Sequence, residues 1–111
     1  MEQLMSEHSL IVFKIPGCTN CSKACAFLDE IGVSKEDYTY IDIATLEDTY
    51  DIAMEDAVTF LETHSQSRVF PQIFVKGTYI GDYIELVRKY EYGFLADIFK
   101  NKLDIHISIN V

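Results

Sequence analysis

The sequence is short of the features that dissolve structure or carry it into a membrane. It has two prolines in 111 residues and no polar low-complexity tract. With apolar residues at 49% of the chain, that argues against disorder. No apolar run approaches the roughly 18 residues of a membrane-crossing helix. The opening "MEQLMSEHS" has neither the basic start nor the apolar stretch of a signal peptide, so the expected compartment is the cytoplasm. Basic residues are scarce beside acids, 9 against 18, for a formal charge of −9. Acids spread from Glu2 to Asp104 oppose binding to nucleic acid or to an anionic membrane surface. Cysteine is also rare, with three residues, all between positions 18 and 25. An odd, clustered set makes a poor disulfide framework, and a cytosolic C-x-x-C beside a strand–helix pattern points to redox chemistry. The length suits one domain over residues 1–111.

What is present reads as alternating strands and helices. "LIVF", Leu10 to Phe13, has the unbroken apolar character of a central strand covered on both faces. After Pro16 and Gly17, the positions Cys21, Ala24, Cys25, Leu28 and Ile31 recur at helical spacing, and Gly32 is a natural stop. "YTYID", residues 38–42, alternates as a strand. From Thr45 to His64 the positions Leu46, Tyr50, Ala53, Met54, Ala57, Val58 and Leu61 predict one long helix, with Glu47, Asp48, Asp51, Glu55 and Glu62 on a solvated face. "VFPQIFV" and "TYI" flank Lys76-Gly77 as a hairpin. Asp82 followed by Glu85 resembles a capping box for a helix through Tyr90. A further helix after Gly93 uses Phe94, Leu95, Ile98, Phe99 and Leu103. In the tail "DIHISINV", Ile105, Ile107, Ile109 and Val111 alternate with polar residues, which predicts an extra strand added to a sheet edge.

Chemistry concentrates in "IPGCTNCSKAC", residues 15–25. A strand that ends in a Pro-Gly loop delivers Cys18 to the first turn of a helix. Unpaired backbone N–H groups and the positive end of the helix dipole there favour a thiolate. Cys18 is therefore the expected nucleophile and Cys21, three residues on, the resolving thiol. Lys14 and Lys23 add positive charge nearby or are ordinary surface lysines. Cys25, one turn beyond Cys21, is either a small buried hydrophobe or an extra redox partner open to oxidation. Zinc would need a fourth ligand, and His8, His64 and His106 are scattered without a paired motif, so no metal is expected.

"CTNC", "SRVFPQIFV" and "GTYIGDYIEL" together resemble the glutaredoxins of the thioredoxin-fold superfamily, over about residues 9–92, with 93–111 as a C-terminal extension. The "Y-x-E-L" segment is similar to phage and viral dithiol members. The resemblance implies an α/β thioredoxin-like fold with a four-stranded mixed sheet flanked by helices. It implies a cis Phe70–Pro71 bond beside the active cysteine, with the Phe70 backbone offered to an extended thiol substrate as a short β pairing. Carried over position by position, it implies substrate contacts from Lys14, Arg68, Phe70, Pro71, Gly81 and Asp82. Lys14 stands one place further from the active cysteine than the family's lysine, Asp82 replaces the second glycine of the family's G-G turn, and Ile84 stands where an aspartate is common.

The expected function is that of a dithiol glutaredoxin acting through Cys18 and Cys21, with glutathione as reducing co-substrate and no tightly bound cofactor. Its implied targets are disulfide-bearing proteins, ribonucleotide reductase among them, and its expected state is a monomer. The rival readings are a thioredoxin-like electron donor reduced directly by a reductase, and a carrier that ligates an iron–sulfur cluster through Cys18 and glutathione.

Overall fold

The computed structural model describes residues 1–108. Strand β1 (Leu10–Lys14) is central, and its first four residues are buried. It pairs in parallel with β2 (Thr39–Asp42), in a register that sets Lys14 opposite Asp42. On its other side it runs antiparallel to β3 (Gln72–Val75), which turns back into β4 (Thr78–Gly81). The order β2-β1-β3-β4 is the expected four-stranded mixed sheet. The hairpin works as its sequence suggests: Lys76 and Gly77 both take positive φ, 46° and 80°, as a tight turn matched to strand twist requires.

Pleating sends neighbouring residues of β1 and β3 to opposite faces. Leu10, Val12, Ile73 and Val75 pack on α2 (Thr19–Glu30), α5 (Tyr83–Glu91) and α6 (Phe94–Ile98), through Ala24, Leu28, Leu86 and Leu95, and on Phe99 just after α6. Ile11, Phe13 and Phe74 face the other way, against Leu4 and Met5, Leu46, Ala57 and Leu61. Helices thus cover both faces of the sheet. No helix among the described residues is long and apolar enough to cross a membrane.

Three expectations change, and one helix had no counterpart among them. Leu4 and Met5 belong to a short helix, α1 (Glu2–Glu7), whose single turn and a half is too brief to show a period in the sequence. The long helix expected from Thr45 to His64 is broken. A turn of 3₁₀ helix over Ile43–Thr45 leads into α3 (Leu46–Tyr50), which stops at Asp51 with φ of 57°, and α4 (Met54–Ser65) then starts afresh. Asp51 tolerates this left-handed stop because its short polar side chain suits it, and its amide caps the carbonyls of Glu47 and Leu46. The break leaves Tyr50 and Met54 exposed while Leu46, Ala57 and Leu61 stay buried.

The helix after Gly93 exists and continues as a π turn over Phe99–Leu103, but its burial is narrower than expected: Leu95 and Phe99 are buried and Phe94 is exposed. The tail strand is not formed over residues 104–108, and Ile109 and Val111 lie outside the described residues. The alternation is nevertheless real, with Ile107 buried between exposed His106 and Ser108. Among the described residues, a bond from the Ser108 amide to the Ile31 carbonyl, 2.8 Å, ties the segment to the end of α2.

Candidate active site

The C-terminal ends of β1, β2 and β4 and the start of β3 meet at one end of the sheet, and the cysteine loop leaves β1 there. Cys18 is the N-cap of α2: its sulfur accepts a hydrogen bond from the Cys21 amide at 3.1 Å. The sulfurs of Cys18 and Cys21 are joined as a disulfide, with Cα atoms 5.3 Å apart. Exposure separates the two: Cys18 is part-exposed and Cys21 fully buried. A cap position is where orphan N–H groups and the helix dipole act together on an anion, so the same geometry that closes the disulfide favours a thiolate on Cys18 once it opens.

The Phe70–Pro71 bond is cis, and the Phe70 carbonyl oxygen lies 3.7 Å from the Cys18 sulfur. The loop before it is held from inside by a residue that the sequence did not single out. Gln72 is fully buried, and its Nε2 donates to the Ser67 carbonyl at 2.7 Å. Ser67 in turn folds the chain locally, its Oγ accepting from the Val69 amide. The available signal was a polar residue inside the apolar run "VFPQIFV".

Gly81 and Asp82 open α5 at the same end. Asp82 accepts from the Glu85 amide at 3.0 Å, which is half of the expected capping box. The other half is missing because the Glu85 carboxylate turns to Arg88 and Lys89, at 3.1 and 3.5 Å. Gly81 has φ of 136°, and a Cβ there would collide with the Cβ of Glu85, so the entry to α5 needs glycine.

The two cations are engaged elsewhere in the chain. Lys14 Nζ sits 3.9 Å from Asp42 and 5.3 Å from the centre of the Tyr40 ring. Arg68 reaches onto α4, with its two terminal nitrogens 3.0 Å from Glu55 and 2.9 Å from Glu62. These hydrogen bonds raise the guanidinium pKa above its ordinary value. Glu55 and Glu62 are therefore partners of Arg68 and not simply part of a solvated face. Separations of 13 and 6 residues gave no local signal of this.

Cys25 stands apart from the disulfide, in a cleft of about 340 Å³ lined by Asp29, Lys35, Tyr38 and Tyr40. Burial raises its thiol pKa, an effect partly offset by hydrogen bonds from Tyr38 and Tyr40. A raised pKa lowers the thiolate fraction at neutral pH, so in reduced protein iodoacetamide should label Cys18 well before Cys25 at pH 7. Labelling of Cys25 should still be climbing above the ordinary thiol range of about 8.5. Equal labelling rates at pH 7, read by mass spectrometry, would contradict this. Among the described residues, no group of three or more His, Cys, Asp or Glu side chains is arranged to hold a metal ion.

The glutaredoxin family model matches residues 10–80, from β1 through the cis-proline into β4. The chain belongs to the glutaredoxin family. Among curated relatives it is 29% identical to Glutaredoxin-C8 of Oryza sativa subsp. japonica over 98 residues, 88% of this chain and 68% of that protein. It is 31% identical over 103 residues to the bifunctional monothiol glutaredoxin-S16, chloroplastic, of Arabidopsis thaliana, spanning 88% of this chain and 32% of that longer protein. Among solved structures, the fold matches a buckwheat glutaredoxin–glutathione complex with a TM-score of 0.75 at 23% identity, covering 90% of this chain and 84% of that one. It also matches the holo form of glutaredoxin C1 from Populus tremula x tremuloides, with a TM-score of 0.75 at 21% identity, covering 91% and 92%. With both cysteines of its C-x-x-C loop at bonding distance, the chain is a dithiol glutaredoxin, a thiol–disulfide oxidoreductase.

Proposed function

We propose that this glutaredoxin reduces protein disulfides and glutathione mixed disulfides with Cys18 as the attacking thiol, Cys21 as the resolving thiol and glutathione as the electron donor. The observation that carries the assignment is the difference in exposure: a substrate sulfur can approach Cys18, and none can reach the buried Cys21. The Cys18 thiolate attacks one sulfur of the substrate. That S–S bond breaks, and the departing thiolate takes up a proton. Cys21 then attacks the Cys18 sulfur, closing the disulfide seen here and releasing the second substrate thiol, so that two electrons have moved to the substrate. One glutathione reopens the loop by bonding to Cys18 and freeing Cys21. A second takes the first off Cys18 as glutathione disulfide.

In this reading the Phe70 carbonyl and amide pair with the backbone of the bound thiol compound, Pro71 shapes that edge, and Gly81 and Asp82 border it. Lys14 and Arg68 supply positive charge for the carboxylates of glutathione. Glutathione as ligand is supported by the shared family and by the buckwheat relative that was solved as a glutathione complex. The protein is proposed to act as a monomer, and in the cytoplasm, a reducing compartment in agreement with its clustered, odd cysteine count. Its targets are disulfide-bearing proteins, with ribonucleotide reductase the named candidate.

The test is turnover of a small mixed disulfide of glutathione with glutathione as sole reductant, coupled to glutathione reductase and NADPH. Steady turnover by wild type and by Cys21→Ser is expected, because glutathione adducts need only one thiol. Turnover that appears only with a thioredoxin-type reductase would transfer the protein to the thioredoxin-like donor reading.

A further inference from the structure

Arg68 is claimed by two carboxylates, Glu55 and Glu62, which leave that group of three charges with a net of −1. Lys14 is matched by Asp42 across the parallel register. Asp82 contributes a further carboxylate at the mouth, where Gly81 and β4 end. Beside these charges along the chain stand two exposed apolar residues: Val69, between Arg68 and the Phe70 edge, is 57% exposed, and Ile84, two residues after Asp82 in the first turn of α5, is 56% exposed. Exposed apolar residues that stand next to carboxylates in excess over their cations are complementary to a segment carrying apolar and basic residues. The same ion pairs compete with the two carboxylates of glutathione for Lys14 and Arg68.

We infer that Glu55 and Glu62 set specificity by holding Arg68 in ion pairs, and that the site is tuned for extended protein segments in which the disulfide cysteine is flanked by apolar and basic residues. This rests on the reading of Cys18 and its rim as the substrate site and adds the class of segment that docks there. Exposed ion pairs are individually weak and sensitive to salt, so the effect belongs to encounter and binding and not to the chemical step. The preference should therefore appear in KM, shrink with added salt and respond to the charge of residues that never touch sulfur.

The experiment uses the full chain and two synthetic peptides that differ only in the residues around one cysteine, lysines in one and glutamates in the other. In both, that cysteine is disulfide-linked to uncharged 2-mercaptoethanol. With glutathione as reductant at about 20 mM salt, wild type should show kcat/KM about tenfold higher for the lysine peptide, and the ratio should fall to about twofold at about 300 mM salt. The double variant Glu55→Gln/Glu62→Gln should lower that ratio to about threefold and lower KM for a glutathione mixed disulfide by a similar factor. Arg68→Gln should raise KM for the glutathione substrate in both backgrounds, but by a smaller factor in wild type, where Glu55 and Glu62 already engage the guanidinium, than in the double variant, where it reverses the gain. Equal kcat/KM for both peptides at low salt, a preference for the glutamate peptide, or a ratio that the double variant leaves unmoved would overturn the inference while leaving the thiol assignments intact. Turnover of neither peptide, and of no glutathione substrate, would overturn the underlying reading and the preference with it.

Discussion

Cys18→Ser is expected to abolish thiol–disulfide exchange with every substrate, down to the uncatalysed background, while leaving the protein folded. The structure separates the two effects. Cys18 is part-exposed and serves as the N-cap of α2, where its sulfur accepts from the Cys21 amide. Serine is among the best residues at a cap, so its hydroxyl can take over that bond at little cost to the helix. What serine cannot supply is a sulfur nucleophile that is also a good leaving group. Melting curves of the reduced variant should overlay those of reduced wild type, and the mixed-disulfide assay should read zero above background. Cys21→Ser gives the opposite pattern, with glutathione adducts still turned over and protein disulfides stalled as a trapped mixed disulfide on Cys18. Residual exchange in Cys18→Ser would mean that another thiol attacks. Cys25, with its thiolate disfavoured by burial, would be the only remaining candidate outside the loop.

Much of this site was legible because its features are local. Pro16, Gly17 and the C-x-x-C spacing lie within a few residues of one another, and the Lys76-Gly77 turn and the Asp82 cap depend on their own neighbours. The paired strands followed from apolar runs whose order admitted few connections. What the sequence concealed depends on contacts between distant positions. Arg68 looked available until α4 brought Glu55 and Glu62 to it. Lys14 met Asp42 only through the register of β1 on β2. The helix from Thr45 to His64 appeared continuous because Tyr50 and Met54 extended an apolar pattern that the fold leaves in solvent. The tail shows the converse: its alternation correctly indicates which side is buried, but alternation alone does not name the partner. Ile107 finds cover against the core on the α2 side with no ladder of backbone bonds among the described residues.

The same distinction bears on residues 93–108, which lie beyond the family-model match yet help to complete the core. Phe99→Ala should be among the most damaging single substitutions in the chain. Phe99 is fully buried and shares a cluster with Leu10 and Val12 of the central strand, Ala24 and Leu28 of α2, Leu86 of α5 and Leu95 of α6. Its carbonyl also receives the Ile105 amide at 3.0 Å, closing the turn that sends the tail back toward Ile31. Truncating a buried phenylalanine costs about 3–5 kcal/mol, from lost transfer energy and the cavity left behind. Typical domains have only about 5–15 kcal/mol in all, so the urea midpoint should fall steeply with little change in slope. Phe99 packs on the sheet face opposite the cluster that Cys18 packs against, so the protein that remains folded should react at Cys18 as wild type does. A midpoint shift equivalent to less than about 1 kcal/mol would show that α6 and the segment after it are dispensable, with Leu10, Val12 and Leu86 able to close over the gap. A large loss of stability with normal Cys18 reactivity in the folded fraction would place the extension in the core that carries the active site and outside the site itself.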